Sequence, residues 1–339
     1  VDMVNTLFIN IFAAVATGGA VVSSQYLGQK RQDRACQSAD QLLIITGILS
    51  LAIMAVCIVF RREFLSLLYR GVAEDVMRNA RTYLVISAVS YPFLSVYNSC
   101  AALFRSMGNS KVSMMTSFVM NMINIIGNAI CVFGLKMGVA GVAWPTLISR
   151  VTAAFMMFVL IQNRNNTIRL NSWKFLIPDR HMIKNILSIG IPMGLQFSIT
   201  AIGTIIVQGA VNVFGSVYIA GFSAAGKIQN IVSTVFVAFG ATAATYVGQN
   251  RGAGRMDRVH QGVKSIQVMI LVWSAVMILV IHLFGDMLIH IFIDASETEV
   301  MSAARTYFRA VAWCYPFLGS IFLYRNALQG LGYGLMPMM

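Results

Sequence analysis

The stretch RTYFRAVAWCYPFL (residues 305–318) repeats a pattern already present at residues 81–94, RTYLVISAVSYPFL. Arg81-Thr82-Tyr83 meets Arg305-Thr306-Tyr307, and Tyr91-Pro92-Phe93-Leu94 meets Tyr315-Pro316-Phe317-Leu318, all at one constant offset. The same offset carries Asp33-Arg34 onto Asp257-Arg258 and Gly108 onto Gly332. One further echo is four residues out of step. Tyr26, Gly28, Gln29 and Arg31 of YLGQKRQDR return as Tyr246, Gly248, Gln249 and Arg251 of YVGQNRGAGRMDR, at a slightly shorter spacing, which predicts a four-residue insertion after them. A Tyr-Pro-Phe-Leu string in register with so many flanking matches marks an internal duplication.

The chain that carries this duplication is 339 residues long, 58% hydrophobic and 11% charged, against roughly a quarter charged in soluble domains. Apolar runs of about 20 residues recur along it, each long enough to cross a hydrocarbon core of about 30 Å as a helix. Period-two alternation, the mark of a membrane barrel, is absent. The expected fold is an all-α polytopic membrane protein with nine spans, near 3–28, 38–60, 77–104, 112–134, 138–161, 185–213, 217–247, 263–284 and 300–329.

The net charge of +13 does not point to nucleic acid, because the basic residues sit between apolar runs and not among aromatics on a soluble face. They set topology instead. The loops after spans one, three, five and seven hold the excess of Lys and Arg, from Lys30, Arg31 and Arg34 through Arg164 and Lys174 to Arg251, Arg255 and Arg258. Those loops are therefore cytoplasmic. The opposite loops hold fewer, among them Arg61, Arg62, Arg70, Arg78 and Arg81.

Spans one to three match spans seven to nine, so the repeat unit is six spans and its two copies are parallel, as in many transporters. Twelve spans are expected of the whole protein, with one before Val1 and two after Met339 falling outside this chain. The expected organisation is a first lobe of five spans at 1–161, a polar cytoplasmic linker at 162–184, and a second lobe of four spans at 185–339. No basic start leads into a short apolar run with a cleavage site, so no signal peptide is expected.

Enzyme constellations are absent from the pattern. The five cysteines lie mostly inside apolar runs without paired or metal-like spacing, and the four histidines are scattered. The 21 methionines fill gaps in helix packing. The glycine-rich loops lack the Lys-Ser or Lys-Thr that cradles phosphate, so ATP drive is not expected. No enzyme activity, metal or organic cofactor is predicted.

Polar residues inside apolar runs are functional candidates, because they are costly in hydrocarbon. Asn121, Asn124 and Asn128 in span four are spaced three and four apart and share a helical face. An amide stripe of this kind either hydrogen-bonds a neighbouring helix or lends oxygens to a cation. Lys227 and Gln229 in span seven, and Gln208 and Asn212 one turn apart in span six, are candidates for a cavity wall, as is Asn98 in span three. For Lys227 the alternative is an ammonium that reaches the outer water along its own helix. Pro92 and Pro316 predict bends at equivalent places in the two lobes.

Several segments resemble the multidrug and toxic compound extrusion (MATE) family, within the wider group that includes lipid-linked oligosaccharide flippases. They are AVVSSQYLGQKRQDRA, ATYVGQNRGAGRMD, ALFRSMGNSK, ALQGLGYG, NIIGNAICVFGLKMGVAGVAWPTLIS and SIGIPMGLQFS, in the family's order over essentially all of the chain. The resemblance implies two six-helix lobes around a central cavity. It implies a secondary antiporter that expels organic, often cationic, compounds in exchange for Na+ or H+, as a monomer among membrane lipids, with a small molecule as partner and no nucleic acid. It makes Asn124, Asn128 and Thr146 the cation-coupling candidates of the first lobe. The position of Asn128 is often Asp in the family, and the family's key carboxylate belongs to a span before Val1. Some branches place an essential Glu a few residues after the proline of span six, where this chain has Gln196, Ser198 and Thr200 after Pro192. Gln196 and Thr200 are kept as substrate candidates, and coupling is expected in the first lobe. The alternatives are a flippase of the same wider group, which would need several buried cations where only Lys227 offers one, and a polytopic membrane enzyme.

Overall fold

A computed structural model describes residues 2–68, 74–163, 165–170, 177–293 and 297–338, without the side chains of residues 2–4, 64, 67–68 and 75. Arg70, Arg164, Lys174 and the middle of the expected linker lie outside the described residues. All regular structure among the described residues is helical. The helices are α1 Asp2–Gly28, α2 Gln32–Val59, α3 Arg61–Leu68, α4 Glu74–Val89, α5 Tyr91–Ser106, α6 Ser110–Ala129, α7 Ala140–Ile161, α8 Arg180–Asn212, α9 Ser216–Gly252, α10 Met256–His290, α11 Thr298–Ala312 and α12 Tyr315–Gly330.

Seven of these are long and apolar enough to cross a membrane alone, and α4 with α5 forms an eighth span bent by 43°. The bend falls where the sequence places it, because Pro92 starts α5 and cannot donate into the preceding turn. The ninth run, 300–329, is likewise two helices, α11 of 15 residues and α12 of 16. At 1.5 Å per residue neither reaches across about 30 Å by itself. The chain is a multi-pass membrane protein.

The duplication is visible helix by helix. The offset that carries Arg81 onto Arg305 also carries the starts of α2, α4 and α5 onto those of α10, α11 and α12, and the end of α1 onto that of α9. Burial keeps the same register: Tyr91 and Tyr315, Leu84 and Phe308, and Ala88 and Ala312 are all closed to solvent. So do the rings, with Phe12 on Tyr91 at 5.9 Å and Phe236 on Tyr315 at 6.2 Å between centroids.

The expected four-residue insertion is corrected by this register. α9 runs straight through Gly248 to Gly252, so much of the stretch read as a loop is helix. The turn that follows copies the turn after α1. Lys30 and Gly254 both take positive φ, at 59° and 70°. Arg31 (φ −95°, ψ 73°) and Arg255 (φ −95°, ψ 68°) then precede α2 and α10. The YxGQxR echo is therefore displaced by one helical turn within a duplication that keeps a single offset.

The chain divides into two compact units, Val1–Phe197 and Ser198–Met339. In the first, α1 packs on α2 and α5, and α7 packs on α4, α5 and α6. The early part of α8 belongs here because its glycines lie close to α1: a Cβ at Gly18 would stand 2.8 Å from Ile186 O and 2.9 Å from Gly190 N. The linker is also tied to this unit. Gln41 Nε2 donates to Ile177 O at 2.9 Å, Gln37 Nε2 to Asp179 Oδ2 at 3.1 Å, and Gln32 Nε2 to Thr167 O at 2.7 Å. In the second unit α9 packs on α10, α11 and α12 around an apolar core that includes Phe236, Ile270, Phe308 and Leu323.

Candidate functional site

The helices α6 and α7 meet where Gly127 faces Pro145. A Cβ at Gly127 would come within 2.7 Å of the proline Cβ, so hydrogen alone fits there. The close approach brings Asn124 to Thr146, and the Asn124 amide Nδ2 donates to Thr146 Oγ1 at 3.0 Å. One turn on, Asn128 Nδ2 donates to Asn124 Oδ1 at 3.1 Å. The Thr146 hydroxyl spends its hydrogen on Val142 O at 2.9 Å, which leaves its oxygen as an acceptor toward the asparagines.

Asn128 Oδ1 is buried and accepts no hydrogen bond. A buried acceptor without a donor costs about 1–3 kcal/mol. Pro145 lies inside α7 and supplies no N–H to the preceding turn. The π-helical segment Ile130–Gly134 follows directly on α6, and such segments concentrate at functional sites. The three side chains offer neutral amide and hydroxyl oxygens, the donor type that suits a hard cation. None of them can carry a proton.

Asn121, expected on the same face, is exposed and its Nδ2 donates to Ser117 O of its own helix at 2.9 Å. Asn98 lies on α5 with its Nδ2 buried and unpartnered. Gln196 and Thr200 sit on α8 on either side of the unit boundary. Gln208 Nε2 donates to Asn212 Oδ1 at 3.3 Å near the end of that helix. Gln229 accepts from the Tyr307 hydroxyl at 3.2 Å. Lys227 is exposed, with Nζ 5.3 Å from the centre of the Phe292 ring just beyond α10. A pocket of about 830 Å³ lined by Phe214, Tyr218, Glu299 and Tyr307, among others, lies in the second unit. Among the candidates, Asn124, Asn128 and Thr146 form a hydrogen-bonded cluster across two helices, and Gln208 and Asn212 pair within α8.

The MatE family model matches residues 1–130 and 192–339 of this chain. The chain belongs to the MatE family. Among relatives of this MatE protein, "Probable multidrug resistance protein YoeA" of Bacillus subtilis (strain 168) is 22% identical over 98% of the chain and 72% of its own length. "Multidrug export protein MepA" of Staphylococcus haemolyticus (strain JCSC1435) is 24% identical over 96% of the chain and 70% of its own length. A crystal structure of a mutant of the Vibrio cholerae MATE transporter VcmN matches with a TM-score of 0.91 at 19% identity, over 99% of this chain and 75% of that one. At that identity the structural match speaks for the fold alone.

The MatE protein also holds a buried polar seam that the sequence reading did not single out. Thr46 and Ser99 hydroxyls lie 3.0 Å apart between α2 and α5, and Ser95 Oγ donates to Ser50 Oγ at 3.1 Å. The Tyr91 hydroxyl donates to Asn5 Oδ1 beside them. Arg150 Nη1 donates to Ser90 Oγ at 2.6 Å, at the bend between α4 and α5. The signal was available: Thr46 and Ser50, like Ser95 and Ser99, are four residues apart inside apolar runs, hence stacked on one helical face.

Proposed function

We propose that this MatE protein is a secondary antiporter. It exports organic, cationic or amphipathic compounds by alternating access while a cation returns through the first half of the chain, with Na+ favoured over H+. The observation that carries the reading is Asn128 Oδ1, buried and unpartnered beside Asn124 Oδ1 and Thr146 Oγ1. Neutral oxygens at this spacing contribute to the shell of a metal cation, whereas a proton needs a titratable group, and the trio has none. The drug-export part rests on the names of relatives such as YoeA and MepA.

The test is transport by the full-length protein in sealed vesicles with a fluorescent organic cation as cargo. An inward Na+ gradient should drive counterflow more strongly than a pH gradient of equal size. Failure of both gradients to move the dye would remove the antiport reading. Asn124→Ala should cut Na+-driven flux about tenfold, the scale of losing one charge-assisted contact, while Asn121→Ala leaves it near wild type. Equal losses that track equal drops in melting temperature would instead make the asparagines packing elements.

A further inference from the structure

The first half contains a pocket that the transport reading does not use. It has a volume of about 410 Å³ and is lined by Arg61, Arg62, Arg78 and Arg81 with Thr82, Val85 and Ile86. Four arginines line it, and no Asp or Glu is among its described lining residues. Glu63 and Glu74 are exposed and are not part of the lining, and the side chain of Asp75 lies outside the described residues. Arg78 has a contact of its own. Arg81 Nε is buried without a hydrogen-bond partner.

The duplicated half shows what this architecture does when the protein supplies the anion. In the register of the duplication Arg81 becomes Arg305, Arg62 becomes Asp286, Arg78 becomes Ser302 and Arg61 becomes Gly285. That register is fixed on both sides of these positions, by the matched starts of α4 and α11 and by Leu65 and Ile289, which are 1% and 0% exposed. In the second half Arg305 Nε donates to Asp286 Oδ1 at 2.6 Å. In the first half the residue in the aspartate's place is another arginine, and two more join it. Like charges on neighbouring side chains repel, and an anion among these arginines relieves that repulsion.

We propose that Arg61, Arg62, Arg78 and Arg81 bind a phosphate group, and that it belongs to an anionic phospholipid. Guanidinium forks match phosphate oxygens in pairs. Val56, Val59 and Phe60, which precede Arg61, and Val76, which precedes Arg78, are all more than half exposed, and they give acyl chains an apolar surface to lie along. By the charge bias of the loops this end of the helices is opposite the cytoplasmic turns, so the lipid belongs to the outer leaflet. The inference stands on the pocket and the duplication and is independent of the antiport reading.

The experiment uses the purified full-length protein in detergent, titrated with phosphatidylglycerol, with phosphatidylcholine, and with inorganic phosphate alone, read by native mass spectrometry and by melting temperature. Phosphatidylglycerol should bind and raise the melting temperature more than phosphatidylcholine does. Arg62→Asp installs the residue the second half carries, and should weaken phosphatidylglycerol binding at least about fivefold, the weight of one basic residue near a lipid surface. Without lipid this variant should melt at or above wild type, because Arg81 gains the partner that Arg305 has. Arg255→Ala at the cytoplasmic turn should leave binding unchanged. Saturation by millimolar phosphate, with displacement of the lipid, would keep the anion site and assign it to the free ion. Unchanged lipid and phosphate binding in both Arg62→Asp and Arg81→Gln would overturn the proposal, and Arg81→Gln decides alone if Arg62→Asp does not fold.

Discussion

Two copies of one helical pattern sit in this chain, and they are built alike in backbone but filled differently. Between α2 and α5 the first copy sets Thr46 against Ser99 and Ser50 against Ser95, all buried and hydrogen-bonded. At the matching places the second copy has Ile270 with Leu323, and Ser274 with Gly319. Where the first copy sets Ala16 and Ala20 against Ala102, the second faces Gly240 with Asn326. Between helices in a membrane there is little hydrophobic driving force, so association rests on close packing of small residues and on interhelical hydrogen bonds. At these matched places the first copy uses hydrogen bonds and the second apolar and glycine contacts, although one step along Gln267 Nε2 of α10 donates to Ser320 Oγ of α12 at 2.9 Å.

The sharpest way to break this comparison is to exchange a contact residue. Gly330 of α12 lies against α9, and a Cβ there would stand 2.6 Å from the backbone oxygen of Ala244. Its counterpart Ser106 is fully buried in the first half and fits, with its hydroxyl on Leu103 O at 2.7 Å. Gly330→Ser should therefore cost about 3 kcal/mol, at the upper end of overpacking penalties, because backbone atoms cannot swing aside. Ser106→Gly should cost about 1 kcal/mol, from a glycine inside a helix. Denaturant or thermal unfolding in detergent measures both. Similar losses from the two variants would mean that the halves approach their helices equally closely.

This contrast also explains which features the sequence made legible. The constant offset between the copies, the proline bends and the Asn124–Asn128 pair are local or periodic, and a linear reading finds them. Thr146 entered through family resemblance; its contact with Asn124 depends on Gly127 and Pro145 letting two helices meet. The cross-helix partners of Thr46 and Ser50 depend on which helices become neighbours, and that information is not local. The arginines 61, 62, 78 and 81 read only as charges that set topology, because their meeting at one pocket requires α3 to fold back beside α4. The displaced YxGQxR echo misled for a geometric reason. A shift of four residues turns a helix by about 400°, so the wrong register presents nearly the same face as the right one.

The polar seam gives the next test, of intermediate size. Thr46→Ile alone takes from the Ser99 hydroxyl its partner across the helices, whereas Ser99→Leu alone leaves Thr46 Oγ1 its bond to Leu42 O at 2.9 Å. The first should cost about 1–2 kcal/mol, the penalty of a buried unsatisfied group, and the second about 1 kcal/mol, the net weight of one hydrogen bond. The double variant installs the pair found at Ile270 and Leu323, and should cost less than the sum of the singles by about 1 kcal/mol. Strict additivity would show that the two hydroxyls, 3.0 Å apart, do not act as a unit.

The smallest predicted effect concerns the turns that close the first helix of each copy. Both need a residue with positive φ, and the first copy uses Lys30 at 59° where the second uses Gly254 at 70°. A residue with a Cβ is strained there, at a cost of about 1 kcal/mol, and glycine is not. Lys30→Gly should thus stabilise the first copy by about 0.5–1 kcal/mol, and Gly254→Lys should destabilise the second by a similar amount. The sign is the informative part, because the backbone around the two turns is nearly identical. Arg31 N donates to Tyr26 O at 3.0 Å and Arg255 N to Asn250 O at 2.9 Å, donor and acceptor alike keeping the register of the duplication. Opposite signs would show that the turns are one structure in two sequences. A loss of stability from Lys30→Gly would mean that the lysine side chain holds its turn by a contact the glycine copy has no need of.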